Sequence, residues 1–226
     1  MHPEIEFDLD FNDRQVDLLA EGFDLAIRIA NLPDSSLIAR RLAPIQTVMC
    51  ASPAYLERMG KPQSPQELIH HRCLAYNLIS NFDHWSLYDA QDQLLKIKII
   101  PYLKASNGDF LCDAAAAGLG IVLMPTFIVY KAIESGQLIP LLTDYQYSQL
   151  TAYAIYPQTR HLSQRVRAFV DFLIKRFEGL PYWDSCLQNT KIHEEVLVKS
   201  RYGVLLVFLR QPSFRALSNT LSRNSI

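Results

Sequence analysis

The stretch "SNGDFLCDAAAAGLGIVLMP", residues 106–125, constrains this chain more than any other, because it permits one order of elements and forbids another. In a phosphate-binding fingerprint the glycines follow a strand and open a helix. Here Gly118 and Gly120 follow an alanine-rich segment and precede the apolar run 121–124. The spacing predicts a helix over 110–117, with Ser106 as N-cap and Asp109 completing a capping box. Gly118 falls where a left-handed C-cap is usual, and 121–124 reads as a short buried strand stopped by Pro125. The glycines are then structural. The end able to do chemistry is the helix start, where backbone N–H groups around 107–109 can hold an anion.

Similar punctuation runs along the chain. "IEFDLDF" alternates apolar and acidic residues and predicts a half-buried strand over 5–11. "DRQVDLLAEG" predicts a helix stopped by Gly22, and "FDLAIRIA" a second strand, so the first 30 residues read as the beginning of a parallel α/β sheet. "LIARRLAPIQTVMCAS" is a long extended stretch that meets Ser52-Pro53, an N-cap followed by proline at the first helical position. Ser64 and Glu67 repeat the capping device, and "HHRCLAYN" leads into a strand. "HWSLYDAQDQLLKIKIIPYLKAS" predicts a hairpin turning at 90–93. Thr126 is expected to cap the helix "FIVYKAIES", and "LIPLL" and "TAYAIYP" are expected strands. Leu162, Val166, Phe169, Val170, Leu173, Ile174 and Phe177 make one apolar stripe on a final helix. After Glu178 the periodicity weakens, and residues 179–226 read as a divergent tail, loosely packed or disordered.

Composition excludes several classes. Hydrophobic residues at 49% and charged residues at 20% are ordinary for a soluble globular protein. The formal net charge of −1 argues against a dedicated nucleic-acid surface, although the last 46 residues are net positive and the rest net negative. Cys50, Cys73, Cys112 and Cys186 show no metal-ligand spacing and read as reduced thiols. The acidic opening "MHPEIEFDLD" is no export signal, and "VLLVFL" at 204–209 is too short to span a bilayer. The expectation is a cytoplasmic protein without membrane contact.

In their order along the chain, "GFDLAIRI", "SSLIARRLAP", "CASPAYL", the pattern P-x-x-L-x-x-H-x-C from Pro65 to Cys73, and "GLGI-x-LMP" are diagnostic. With them the chain resembles the effector-binding domain of LysR-type transcriptional regulators, from about His2 to Phe177. The resemblance implies an α/β, two-lobed fold like type 2 periplasmic binding proteins, with two crossover segments and a small-molecule effector in the cleft. Lobe I would comprise 1–48 plus 151–178, and lobe II 49–150. The family's helix-turn-helix domain, its linker helix and the first strand and helix of its effector domain have no counterpart here, so the first lobe is expected to be incomplete. Pairing is expected with a second copy or with a full-length regulator, and direct DNA contact from this chain is not.

Ligands collect at strand carboxyl ends in open α/β sheets. By that geometry and by the resemblance, the candidate effector-binding residues are Asn12, Ser52, Ser106, Asn107 and Thr126. Ser52, Ser106 and Thr126 also read simply as helix caps. No catalytic residue, metal or cofactor is expected. His70, His71 and His84 lack ligand spacing. Arg40 and Arg41 point to opposite faces of an extended segment. Asp8 and Asp10 suit a solvated strand face. Two other readings compete with an effector sensor: a free-standing solute-binding protein of the same fold, and an enzyme with its site between two α/β lobes.

Overall fold

The apolar residues of "TVMCA" alternate between two hydrophobic clusters, and this strand lies in the interior of the larger sheet. A computed structural model describes residues 7–11, 17–29, 37–158, 163–179 and 181–187. The elements in chain order are α1 (Leu18–Glu21), β1 (Ala26–Ile29), β2 (Leu37–Ile45), β3 (Thr47–Ala51), α2 (Pro53–Met59), a 3-10 turn (Pro65–His70) and β4 (Cys73–Tyr76). They continue with β5 (His84–Tyr88), β6 (Leu94–Lys98), β7 (Pro101–Ala105), α3 (Gly108–Ala116), β8 (Ile121–Pro125), α4 (Thr126–Glu134), β9 (Ile139–Leu141) and β10 (Gln146–Tyr147). Last come β11 (Leu150–Pro157), α5 (Gln164–Arg176) and a second 3-10 turn (Tyr182–Leu187).

The strands form two three-stranded sheets, β1-β11-β2 and β10-β5-β6, and one five-stranded sheet, β7-β4-β8-β3-β9. In the five-stranded sheet β4 runs parallel to β7 and β8, and β3 runs antiparallel to β8 and β9. Val48 and Cys50 face α3 and α4, while Met49 and Ala51 face the cluster of Tyr55, Leu68, Trp85 and Ile121. Both faces are covered over β4, β8 and β3, as a sheet with a parallel core requires, while Tyr102 of the edge strand β7 is exposed. The β1-β11-β2 sheet has its own cluster, in which Leu25, Ile27, Ala43, Ile45 and Tyr156 pack against Val166, Val170 and Leu173 of α5. The expected α/β fold with two lobes is therefore present. The chain passes between the lobes at Gln46 and at 148–149, and Thr47 Oγ1 donates to the Ser148 carbonyl at 3.5 Å across the two passages.

Several local expectations need correction. Residues 7–11 are not a strand. The Phe7 ring instead packs edge-on against Phe169 at 5.2 Å. The first 30 residues do not begin a parallel sheet: β1 lies antiparallel to β11, which also pairs antiparallel with β2 and inserts between them. A partner more than 100 residues away leaves no trace in local periodicity. The predicted hairpin is β5–β6, but Pro101–Ala105 leaves it to join β4. Ile174, on the expected apolar stripe of α5, is 38% exposed. Ser64 caps no backbone amide; its hydroxyl meets Glu67 Oε1 at 3.2 Å, while Glu67 Oε2 accepts from the Gln63 amide.

Two features carry measurable consequences. A methyl group at Gly120 would lie 2.2 Å from the Arg72 carbonyl, against fixed backbone. Gly120→Ala should lower stability by about 1–3 kcal/mol or more, read as a drop in the urea midpoint. The fully buried Tyr55 hydroxyl accepts from the Arg72 amide at 2.9 Å and lies 3.2 Å from His71 Nδ1, to which it donates when His71 is neutral. Burial lowers the His71 pKa below its ordinary 6.5, with Glu67 pulling it up and His70 pushing it down. Neutral His71 is thus favoured by folding, and its contribution is present above pH 6.5 and lost as pH falls through the lowered value. Acidification below pH 6.5 should therefore cost the wild type more stability than His71→Gln, in paired thermal melts. Tyr55→Phe, which leaves the Arg72 amide without its acceptor, should cost about 1–3 kcal/mol.

Candidate functional site

Because β7, β4 and β8 run parallel, their carboxyl ends lie on one edge of the five-stranded sheet. That edge carries Ser106 and Asn107 after β7, Asn77 after β4 and Thr126 after β8. Asn77 N–H donates to the Ala105 carbonyl at 3.0 Å, which holds the first two loops side by side. The antiparallel β3 begins at the same edge, so the passage from the other lobe at Gln46 arrives there too. This is the crevice at which open α/β sheets collect ligands.

Four of the five candidate residues can be placed, and three of those four converge. Asn12 lies outside the described residues. Asn107, not Ser106, is the N-cap of α3: its backbone is extended, and its Oδ1 accepts from Phe110 N–H at 2.7 Å. With the cap at 107, Asp109 sits one position too early to close a capping box. The Ser106 side chain is left exposed at the edge without a capping duty. Thr126 is likewise not a cap. Pro125 holds that position, and the buried Thr126 hydroxyl lies 3.2 Å from the Gln46 carbonyl and 2.5 Å from Asp184 Oδ1. Ser52 caps α2 as expected, accepting from Tyr55 N–H at 3.3 Å, but it is 2% exposed and sits inside the second lobe.

Gly108 was not singled out from sequence. A methyl group there would fall 2.6 Å from Ile128 Cδ1 and 2.7 Å from Met124 Cε, so glycine lets the starts of α3 and α4 approach closely. A glycine directly after a capping Asn was the available signal. The first-turn amides of α3 have no intrahelical acceptor and carry partial positive charge. Asp109 in that first turn already offsets part of it. The edge therefore offers hydrogen-bonding groups more than a strong anion hole.

Nucleophilic chemistry finds little support among the described residues. Cys50, Cys73 and Cys112 are buried, and burial pushes Cys73 and Cys112 up to about 12, far from thiolate at neutral pH. Among the described residues no three His, Cys, Asp or Glu side chains gather as a metal site. No helix among them is long and apolar enough to cross a membrane. Among the described residues there are open grooves of about 560 Å³ between β2 and α5 and of about 400 Å³ between α3 and α4. Neither contains Ser106, Asn107 or Thr126.

Residues 1–178 match the profile of the LysR substrate binding domain. An uncharacterized HTH-type transcriptional regulator of Haemophilus influenzae is 39% identical over 165 residues, 73% of this chain and 57% of that protein. The HTH-type transcriptional regulator CrgA of Neisseria meningitidis is 34% identical over 77% of this chain and 58% of its own length. The chain thus spans less than three fifths of these relatives. Among solved structures, the regulatory domain of Neisseria meningitidis CrgA superposes with a TM-score of 0.63 at 36% identity, covering 70% of this chain and 78% of that one. The full-length Vibrio cholerae virulence activator AphB superposes with a TM-score of 0.67 at 29% identity, covering 78% and 59%. A family match over 178 residues, and solved relatives with the same two lobes, have one reading: the chain belongs to the LysR substrate-binding domain family.

Proposed function

We propose that this chain is the effector-sensing part of a LysR-type transcriptional regulator, acting in the cytoplasm and without direct contact to DNA. Its relatives carry the name HTH-type transcriptional regulator and are longer than the stretch matched here. Lobe I comprises 1–48 plus 151–178 and lobe II 49–150, with 179–226 appended. A small metabolite binds between them and shifts the balance of lobe arrangements, and the chain works as a homodimer or beside a full-length regulator. The observation that carries this reading is the shared edge of Ser106, Asn107 and Asn77, which faces the passages between the lobes. Ser106 and Asn107 are the residues to which we assign effector contact on lobe II; Asn12 is their counterpart on lobe I. Thr126 and Ser52 have their hydroxyls engaged within the protein. The competing enzyme reading is disfavoured by the raised thiols and by the burial of the Thr126–Asp184 hydroxyl–carboxylate pair at that edge.

A thermal-shift screen with small organic acids, amino acids and aromatic metabolites should find saturable binders that are recovered unchanged. Recovery of a converted product would overturn the sensor reading in favour of catalysis. Ser106→Ala should leave the melting temperature within a degree or so of wild type, because Ser106 caps nothing, while weakening the binder about 10-fold through one lost polar contact. Asn107→Ala should weaken binding as well and also cost about 1 kcal/mol of stability as a lost N-cap. The purified chain should not retard duplex DNA in a gel shift at physiological salt.

A further inference from the structure

Residues 181–187 join the two lobes, although they lie beyond the family match at 178. Trp183 belongs to the hydrophobic cluster of the β1-β11-β2 sheet, and Leu187 packs on the cluster of the five-stranded sheet. Trp183 meets Phe177 at the end of α5 with ring centroids 5.6 Å apart and Phe127 on α4 at 6.2 Å. Between these anchors sits Asp184, 1% exposed, with Oδ1 2.5 Å from Thr126 Oγ1.

Three facts set this contact apart from ordinary packing. First, α4 has Pro125 as its N-cap and no side-chain cap of its own, so the Asp184 carboxylate arrives where a helix start favours negative charge. Second, the Thr126 hydroxyl has one proton and two acceptors in reach, Asp184 Oδ1 at 2.5 Å and the Gln46 carbonyl at 3.2 Å. The shorter distance assigns the proton to Asp184, leaving Gln46 O to the Thr126 amide at 2.9 Å. Third, Asp184 Oδ2 is buried with no hydrogen-bond partner among the described residues. Leaving a carboxylate half-satisfied in the interior is costly, and burial raises the Asp184 pKa while the Thr126 hydrogen bond pulls it back down.

We infer that residues 181–187 are a clasp across the hinge, which fastens the start of α4 and the Gln46 passage of one lobe to α5 of the other and so limits how far the lobes part. Trp183 and Leu187 supply adhesion to the two cores, and Asp184 is the positioning residue that acts through Thr126. The inference stands on packing alone and does not need the effector reading.

The chain has two tryptophans, Trp85 and Trp183, so Trp85→Phe leaves a single fluorophore inside the clasp. In full-length Trp85→Phe, the Trp183 emission should shift to the red only at the urea midpoint seen by far-ultraviolet circular dichroism. A red shift well below that midpoint would overturn the inference, because the segment would then fray independently of the lobes. Hydrogen exchange of the Thr126 amide tests the positioning role. Asp184→Ala and Thr126→Val should each speed it at least 10-fold relative to amides in the β3–β8 ladder, and the double variant should exchange no faster than the faster single one. Unchanged exchange in both single variants, or effects that multiply in the double, would likewise overturn the clasp. The fluorescence measurement leaves Asp184 and Thr126 intact, so it decides the matter even where a clasp variant fails to fold.

Discussion

Burial of both faces of the five-stranded sheet is the constraint on which the rest of this molecule depends. Because Val48 and Cys50 point one way and Met49 and Ala51 the other, β3 has no solvent face. The same holds for β4, with Leu74 on one side and Cys73 and Ala75 on the other. The β5–β6 hairpin carries the chain from β4 to β7 and α3 carries it from β7 to β8, and both crossovers leave β7, β4 and β8 running the same way. Once they do, the loops that leave them gather on one edge. The candidate site is a consequence of that direction and needs no further device to assemble it.

What the edge offers chemically is modest and specific. Asn107 spends its side-chain oxygen on the α3 backbone, Ser52 spends its hydroxyl on α2, and Thr126 spends its own between Gln46 and Asp184. Ser106 has no capping duty. Gly108, by having no side chain, lets α3 and α4 begin beside each other. Such a site suits reversible recognition, in which a few polar contacts decide what is held. Among the described residues of the edge, the hydroxyl that meets a carboxylate, Thr126 to Asp184, is buried.

The hinge shows how strongly the two lobes are coupled by distant residues. Gln46 lies at the first passage, Thr126 at the start of α4 and Asp184 after the last helix, yet they form one cluster. Phe127 and Tyr130 of α4 pack on the first lobe's core while Val129 and Ala132, on the opposite side of the same helix, belong to the second. α4 therefore takes part in both, and a change in its seating is felt in each.

Local signals were reliable where the physics is local. The left-handed Gly118 with φ of 82°, the Ser52 cap, the β5–β6 hairpin and the helix–turn–strand order of residues 106–125 were all legible from the chain, because each is set by neighbours within a few residues. The family strings made the two-lobed fold legible as well. Cap positions were off by one at Ser106 and Thr126, since adjacent Ser, Asn, Thr and Pro compete and tertiary contacts choose among them. Tertiary structure alone decided that β11 separates β1 from β2, that Pro101–Ala105 joins β4, and that Asp184 reaches Thr126. The sequence determined which faces must be buried and where the chain can turn. Which distant surface buries each face is settled only when the whole chain competes for the same apolar area, and that competition has no local record.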